Sequence, residues 1–387
     1  MDGQSGLKNR GMERSDVDDR RNAVSQLTEV DFRAIASYPF EPSEARSNIE
    51  NMIGVIQIPL GFAGPVQVNG DHAQGPFLIP LATTEGALVA SISRGMSVIT
   101  SSGGANVKVF ADAMTRAPIF RVRGVEHAAE VMEWVNSHPG EMEMAVASTT
   151  SHGELIRIEF FPNGRSLHMR MSFRTGDAMG MNMVTIASEA VCEVISRNTG
   201  AELVSVSGNM CTDKKPAAIN SISGRGKTVV AEVTIPKDIV ESKLHTSVDA
   251  FVETNTRKNL IGSAMAGSLG FNAHAANMVA AFYIATGQDP AQVVEGSNAM
   301  TVAEDVDGDL YVSVRMPSVE VGSVGGGTGL PAQSEALEMI GCVGDDNALK
   351  LAELVAVTVL AGEISTIGAQ AAGHLGKAHR ELGRSLK

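Results

Sequence analysis

Cysteine and aromatic residues are both scarce in this chain. Only 3 of its 387 residues are Cys, and Phe, Trp and Tyr together make up 4%. Cys192, Cys211 and Cys342 are widely spaced and odd in number, which fits neither a disulfide framework nor a zinc knuckle and favours a reducing cytoplasm. Two interpretations of Cys211 stay open: a reactive thiol or, as is commoner for Cys, a buried structural side chain.

Basic charge and membrane-type segments are also in short supply. The chain has 31 Lys and Arg against 44 Asp and Glu, a formal net charge of -13. Because binding to a nucleic-acid backbone needs a basic face, this balance argues against nucleic acid as the main partner. No apolar targeting segment follows Met1, and Glu353 and Glu363 interrupt the long apolar run near the C-terminus. The sequence therefore predicts a soluble, cytoplasmic protein without a membrane span.

Several common catalytic motifs are missing as well. Neither HExxH nor GxGxxG occurs, which argues against metal catalysis and against an ordinary Rossmann site. Residues 224–228 hint at a phosphate-binding loop, but Ser221 stands where that pattern requires Gly, so we reject this interpretation. We expect no metal ion.

The chain does have many glycines and an ordinary apolar fraction. Gly accounts for 40 residues and hydrophobic residues for 43%, and the length suits two or three domains. Residues 1–25 are polar and predict a mobile leader or a frayed helix. Residues 30–36 and 43–52 are predicted as short helices, and residues 55–66 as a strand pair joined by tight turns.

Residues 119–207 have the periodicity of a compact unit. Its predicted elements are strand 119–122, helix 125–136, strand 155–161, strand 167–173, helix 181–197 and strand 203–207. This β-α-β-β-α-β order is typical of a ferredoxin-like fold, and its ends fall close together, as an inserted domain requires. We predict an α+β protein made of a large helix-rich domain (26–118 and 208–372), an inserted small domain (119–207) and a C-terminal lid (373–387).

The most unusual local sequence is the stretch at residues 207–216. Asp213, Lys214 and Lys215 follow a β-like run there, and Pro216 disfavours a helical surface at Lys215. Catalytic residues collect in loops that a rigid sheet holds in place. We therefore predict a loop at the end of a strand, with Lys214 as a catalytic cation.

Three other segments are ambiguous when taken singly. A helix is predicted after Thr83 or Thr84, with Glu85 in its first turn, where a Glu commonly does no more than offset the helix dipole. Residues 176–182 open a helix and residues 325–327 are a run of Gly. Each Gly-rich segment alone is more often a turn than a cofactor site.

Together these motifs are specific. Residues 81–86, 177–182, 213–220, 287–289 and 325–328 resemble, in the same order, the signatures of the 3-hydroxy-3-methylglutaryl-coenzyme A (HMG-CoA) reductase family. The resemblance covers about residues 45–385 and is close to class I, in its soluble archaeal-type form. It implies that HMG-CoA is reduced to mevalonate and CoA by two NAD(P)H, through mevaldyl-CoA and mevaldehyde, for isoprenoid biosynthesis.

The resemblance implies four catalytic residues. Lys214 matches the lysine that stabilises the oxyanion, where a preorganised cation contributes most. Glu85 matches the proton donor, which needs a raised pKa, and Asp289 matches the aspartate that orients both. His379 matches the histidine that protonates the departing thiolate. The neighbouring His374 is the alternative, and the family pattern selects the second histidine of the pair.

Binding residues follow from the same motifs. Positions that match the substrate site are Arg121, Ser207, Asp213, Lys215 and Asn277. Positions that match the CoA site are Glu50, Arg94, Lys258 and His274. Positions that match the NAD(P)H site are Ser151, His152, Asp177, Met179, Gly180, Met181, Asn182, Val324, Gly325, Gly326, Gly327 and Arg384.

One departure from the family pattern bears on the cofactor. Animal members have Ser-Arg-Phe where this chain has Ser151, His152 and Gly153, and the missing Arg is a strong partner for the adenosine 2′-phosphate. The class favours NADPH, but this loss leaves NADH open. Arg384 and Ser385 resemble the regulatory phosphorylation site of the animal enzymes, a control that we do not expect in an archaeal-type protein.

The resemblance also implies an assembly. The active site forms between subunits of a homodimer, or of a tetramer built from two dimers, with Lys214 from one subunit and Glu85 and Asp289 from the other. Two alternative functions stay open: a degradative, NAD-linked relative that oxidises mevalonate, and a catalytically inactive CoA-binding homologue.

Overall fold

The computed structural model describes residues 10–373, which fold around one ten-stranded sheet. The strands are β1 (Leu60–Gly70), β2 (Gln74–Ala82), β3 (Ala105–Arg116), β4 (Ile119–Arg121), β5 (Glu154–Asn163), β6 (Ser166–Arg174), β7 (Glu202–Ser205), β8 (Gly226–Ile235), β9 (Met300–Val306) and β10 (Asp309–Val319). Their order is β7-β4-β6-β3-β8-β10-β9, with β1 beside β3, β2 beside β1 and β5 beside β6. Only the β1–β3 pair is parallel among the described strands.

Helices occupy most of the connections. The α-helices are Arg14–Thr28, Leu88–Ser101, Val125–Ser137, Pro139–Ala147, Met181–Thr199, Ala218–Ser223, Lys237–Ile239, Val248–Thr254, Ser263–Ala266, Ala275–Ala285, Val293–Gly296, Pro331–Met339 and Ala348–Ala371. Val240–Leu244 and Asn255–Gly262 are π-helical, and Pro42–Ala45, Pro290–Gln292 and Gly326–Gly329 are 3-10 turns. Helices mixed with mainly antiparallel strands confirm the predicted α+β class.

The strands between residues 119 and 205 pair antiparallel in the order β7-β4-β6-β5. Val125–Ser137 lies between β4 and β5, and Met181–Thr199 lies between β6 and β7. Pro139–Ala147 is an additional helix that the periodicity did not reveal; Pro139 occupies its first turn, where a missing N–H is harmless. This unit has its own hydrophobic cluster, and its division from the rest as a separate domain stays a prediction.

The longest helix, Ala348–Ala371, lies in the larger hydrophobic cluster. It is long and apolar enough to cross a membrane, but 94% of its apolar window is buried inside the fold, so core packing accounts for its composition. A Cβ on Gly95 would lie 1.9 Å from the carbonyl oxygen of Ala361. Glycine is therefore required where Leu88–Ser101 crosses this helix.

The N-terminal region differs from the prediction. Arg14–Thr28 is a regular helix with a capping box formed by Glu13 and Asp16, where a mobile or frayed leader was expected. Arg20 is buried and holds the helix to the fold, since its Nε donates to the carbonyl of Met52 at 2.9 Å.

The two short helices predicted next are also wrong. Within 30–36 and 43–52 the chain forms turns and bends, and its only helical piece is the 3-10 turn Pro42–Ala45. Proline at positions 39 and 42 limits these segments to lengths below those at which a helix is stable by itself. They hold to the fold through a small cluster instead, which includes Ala45 and Met52.

Candidate active site

The loop after β7 places Lys214 through an unusual backbone. Asn209, Thr212 and Lys214 have positive φ angles of 65°, 57° and 59°. Side chains rarely adopt this conformation, so three such residues within six positions indicate a loop that its surroundings hold in place. The backbone N–H of Lys214 donates to the carboxylate of Glu295, and this hydrogen bond holds the loop backbone at Lys214.

Lys214 and Asp289 form an ion pair, with Nζ 3.0 Å from Oδ2. Asp289 precedes the turn Pro290–Gln292 and accepts from the N–H of Ala291 at 3.0 Å. The two side chains remain 47% and 29% exposed, so the ammonium can reach a ligand as well as its partner. Lys214 and Asp289 thus pair within one chain, whereas the resemblance implied that they come from two subunits.

This pair lines a cavity of about 980 Å³, together with both Gly-rich segments. Ala178 and Val324 form a parallel bridge, and the N–H of Ser323 donates to the carbonyl of Asp177 at 2.9 Å, so the two segments lie side by side. Predicted cofactor residues on the cavity wall are Met179, Gly180, Met181, Asn182, Val324, Gly325, Gly326 and Gly327. The structure thus brings together two motifs that are far apart in sequence.

The cavity wall suits a dinucleotide. A Cβ on Gly322 would lie 2.5 Å from the amide nitrogen of Met179, and one on Gly287 would lie 2.3 Å from the carbonyl oxygen of Gly327. At both positions glycine allows two backbone segments of the wall to pack directly against each other. The 19-residue helix Met181–Thr199 begins at the same wall without a side-chain cap, which leaves its first N–H groups free for an anion.

Asp177, however, does not line this cavity. Its carboxylate accepts from the backbone N–H groups of Asp346, Asn347 and Ala348 at 2.8 to 3.1 Å, at the start of the long helix. Burial tends to raise the pKa of Asp177, but these three hydrogen bonds outweigh it and hold the pKa below the ordinary value. Its carboxylate therefore anchors a helix beside the cavity, where direct contact with the nucleotide was expected.

Arg116, which the sequence reasoning missed, lines the large cavity where Arg121 was expected. Arg116 lies at the end of β3, and its Nη1 is 3.8 Å from a carboxylate oxygen of Asp213. Arg121 lies on β4 and pairs with Glu202 at 3.1 Å, with both side chains mostly exposed. Arg116 is the last residue of β3 and Arg121 the last residue of β4, so the turn between these strands separates the two side chains.

The other predicted substrate residues are divided. Asp213 lines the large cavity and is held by Gln292 at 3.1 Å. The Nζ of Lys215 donates to the carbonyl of Asp213 at 2.9 Å, and Ser207 lies within 3.7 Å of the Cys211 thiol. Cys211 is buried, as the commoner of the two interpretations predicted.

A second cavity, of about 400 Å³, contains Glu85, Arg94, His274 and Asn277. Asn277 donates to Glu85 at 3.3 Å and contacts His274 at 3.2 Å, while Arg94 donates to the carbonyl of Ser365 at 2.6 Å. Burial lowers the pKa of Arg94. Two residues predicted for CoA and one predicted for the substrate thus lie together with Glu85, and none of them lines the large cavity.

Glu85 itself lies outside the helix in which it was predicted. The helix begins at Leu88, because Ala87 adopts a left-handed conformation with φ of 71°. Glu85 sits in the preceding turn, where its N–H donates to the Thr83 hydroxyl at 3.0 Å. Its side chain is exposed and free of the helix dipole, which leaves it available for chemistry.

The remaining predicted residues lie elsewhere. Lys258 is half-buried against Asn259 at 2.7 Å, and Glu50 borders a small separate cavity. Ser151 and His152 are exposed in the turn before β5 and line neither of the two cavities described above. His379 and Arg384, like most of the predicted lid, lie outside residues 10–373. Within residues 10–373, no cluster of three or more His, Cys, Asp or Glu is arranged to hold a metal ion.

Comparison with known proteins bears on this arrangement. The profile of the family described as hydroxymethylglutaryl-coenzyme A reductase matches residues 16–384. The 3-hydroxy-3-methylglutaryl-coenzyme A reductase of Haloferax volcanii is 54% identical over 94% of this chain and 92% of that protein. The reductase of the same name from Methanothermobacter thermautotrophicus is 52% identical over the same shares.

Solved structures add a likeness of fold. The class II 3-hydroxy-3-methylglutaryl-CoA reductase of Streptococcus pneumoniae, determined bound to NADPH in open conformations, matches with a TM-score of 0.69. The match covers 90% of this chain and 92% of that chain at 17% identity, a level that concerns the fold alone. From the profile and the archaeal relatives, the chain belongs to the hydroxymethylglutaryl-coenzyme A reductase family of oxidoreductases.

Proposed function

We propose that this chain reduces HMG-CoA to mevalonate and CoA with two molecules of NAD(P)H. The observation that carries the proposal is the Lys214–Asp289 ion pair on the wall of the Gly-lined cavity. A thioester reduction develops negative charge on the carbonyl oxygen twice, and a fixed ammonium stabilises that charge without having to reorganise. When bound, the nicotinamide supplies the hydride at each reduction step.

The chain's own residues have distinct tasks in this proposal. Lys214 stabilises the oxyanion, Asp289 orients its ammonium, and Glu85 delivers the proton. His379 protonates the CoA thiolate as it leaves. Arg116 joins Lys215 in holding the terminal carboxylate of the substrate, since a guanidinium at the cavity wall is well suited to a carboxylate. Asp213 positions the Arg116 side chain.

Glu85 requires a second copy of the chain in this account. Within one chain Glu85 belongs to the smaller cavity, together with Arg94 and His274, and does not contact Lys214. We infer that the smaller cavity binds the CoA thioester and meets the large cavity of a second subunit, in a homodimer or a dimer of dimers. The class I, archaeal-type assignment and a cytoplasmic location belong to the same proposal.

The preferred nicotinamide is NADPH in this proposal, because the class I form uses it. Ser151 and His152 offer no guanidinium for the 2′-phosphate, which narrows the difference in affinity between NADPH and NADH. The alternative of a degradative, NAD-linked enzyme follows from the same observation.

Steady-state assays of the purified protein test this function. With HMG-CoA we expect oxidation of NADPH and formation of mevalonate, with kcat/KM for NADPH above that for NADH. A large preference for NADH would favour mevalonate oxidation instead. Consumption of neither nucleotide, with CoA binding intact, would identify a catalytically inactive CoA-binding protein.

A further inference from the structure

A buried cluster of charged residues lies directly beneath the Lys214 loop. Arg225, Glu295 and Glu320 each have a fully buried side chain. Nη1 of Arg225 donates to Glu295 at 3.2 Å and to Glu320 at 3.1 Å, and it also contacts Gln292 at 3.0 Å. One nitrogen of a single guanidinium thus serves three acceptors, two from the segment 290–296 and one from residue 320.

The cluster connects with two adjacent charged residues of the loop. Nη2 of Arg225 lies 3.1 Å from Asp213, the residue before Lys214. Glu295 accepts the backbone N–H of Lys214 itself, through the same Oε1 that accepts from Arg225. Every direct bond from the cluster to the loop therefore falls on residue 213 or residue 214.

The charges in this cluster do not balance. Two fully buried carboxylates face one guanidinium, and the second oxygens of Glu295 and Glu320 have no hydrogen-bond partner among the described residues. Burial raises the pKa of Glu320 well above its ordinary value and that of Glu295 to about 6, although Arg225 opposes both shifts. Such an arrangement is a poor source of stability, because replacing buried charges by neutral groups of equal shape is often harmless.

We propose that Glu295 is a positioning residue, whose Oε1 holds the Lys214 amide in its left-handed conformation and so aims the ammonium at Asp289 and the reacting oxygen. Lys214 has φ of 59°, a conformation that a lysine does not keep without an external constraint. The N–H bond to Glu295 supplies that constraint, and Arg225 fixes the carboxylate that accepts it. This inference rests on the proposed role of Lys214.

Substitutions at Glu295 can separate the position of its acceptor oxygen from its negative charge. Both contacts use Oε1, so Glu295→Gln keeps an acceptor for each and places its amide nitrogen where the present oxygen has no partner. Glu295→Asp keeps the charge but withdraws the oxygen by one methylene. Glu295→Ala removes the acceptor altogether.

The test measures kcat, KM and hydrogen exchange for these three variants. We expect Glu295→Ala and Glu295→Asp to lower kcat by roughly 10- to 100-fold, with KM for HMG-CoA and NADPH changed less than about threefold, because misplacement of a catalytic group affects the chemical step. Amide exchange in the peptide covering residues 208–217 should accelerate in both. Glu295→Gln should retain the wild-type kcat and the wild-type rate of amide exchange in this peptide.

A matched control is Glu353→Ala. Glu353 is equally buried and also accepts backbone N–H groups, from residues 71–73, but it lies away from both cavities. It should lower stability while leaving kcat per folded molecule unchanged.

Two results would overturn the proposal. The first is a normal kcat and normal exchange in Glu295→Ala, or in Glu295→Asp if the alanine variant does not fold. The second is a lowered kcat in Glu295→Gln together with a wild-type kcat in Glu295→Asp. That result would show that the negative charge of residue 295, and not the position of its acceptor oxygen, supports turnover.

Lys214→Ala separates this proposal from the function on which it rests. If Lys214→Ala keeps wild-type turnover, the assignment of Lys214 as catalytic cation fails. Loop exchange in the Glu295 variants still decides whether this carboxylate holds the loop.

Discussion

The two cavities differ in what each has already assembled. In the large cavity, the Lys214 ammonium is paired with Asp289 at 3.0 Å, above a buried cluster that holds the loop backbone. In the small cavity, Glu85 is exposed and its only described side-chain contact is Asn277, at 3.3 Å. The large cavity thus contains a cation that is already held in place, whereas the carboxylate in the small cavity is exposed to solvent.

This difference indicates how the work is divided. A cation that stabilises developing charge is most effective when it is fixed before the reaction. An acid that must hold a proton near neutral pH needs an environment that disfavours its charged form. An exposed carboxylate has no such environment, so the comparison predicts that a second copy of the chain covers Glu85.

Removing the cation from the large cavity should give the largest effect. Lys214→Ala leaves the developing oxyanion without its charged partner, and we expect kcat to fall roughly 10³-fold. The control is Lys108→Ala, which removes an exposed lysine that pairs with Asp71 on the surface. A near-normal rate of NADPH oxidation in Lys214→Ala would contradict the proposed mechanism.

Substitutions of Arg116 and Arg121 test which of the two arginines belongs to the large cavity. Arg116→Ala should raise KM for HMG-CoA by about 10- to 100-fold, since a charged hydrogen-bond partner of the substrate carboxylate is lost. Arg121→Ala should leave KM within about twofold, because it breaks only an exposed ion pair with Glu202. Equal effects from the two variants would contradict the assignment of Arg116 to the cavity.

This pair also shows what sequence can and cannot provide. The motifs identified both segments of the cavity wall and the pairing of Lys214 with Asp289, because their chemistry is local to short sequences. The choice between Arg116 and Arg121 depends on where β3 ends and where β4 begins after a short turn. No periodicity in the sequence fixes that turn, and the prediction named Arg121, which does not line the large cavity.

Asp177 offers a smaller effect, on stability. Asp177→Ala removes an acceptor for three N–H groups at the start of Ala348–Ala371, and we expect a loss of about 1 to 2 kcal/mol in the free energy of unfolding. The lowered pKa sets the sign of the pH dependence. The contribution is fully present above the ordinary value of 3.8 and is lost as pH falls through the lower pKa of the folded state.

Denaturant titrations of both proteins between pH 7 and pH 3 measure this effect, and the gap between wild type and variant should narrow at the acid end. A gap that widens there would reverse the sign and contradict the role of Asp177 as an anchor. KM for the nucleotide should stay close to the wild-type value, because Asp177 does not line the large cavity.

Asp177, Glu295 and Glu363 also mark the limit of the sequence reasoning. Each is a carboxylate that accepts hydrogen bonds from backbone N–H groups of distant segments, as when Glu363 accepts from Ala273 and His274 at 2.7 and 2.9 Å. Backbone donors leave no signature in the sequence. The pattern therefore located the reactive side chains more readily than the buried groups that hold them.

The most direct test of the central claim is complementation between two inactive variants. If the site joins Lys214 of one subunit to Glu85 of another, co-expressing Lys214→Ala with Glu85→Gln gives mixed dimers that each contain one intact site. With random pairing, the purified mixture should regain about a quarter of wild-type kcat. Activity no greater than that of the separate variants, in a mixture shown to contain mixed dimers, would contradict the claim.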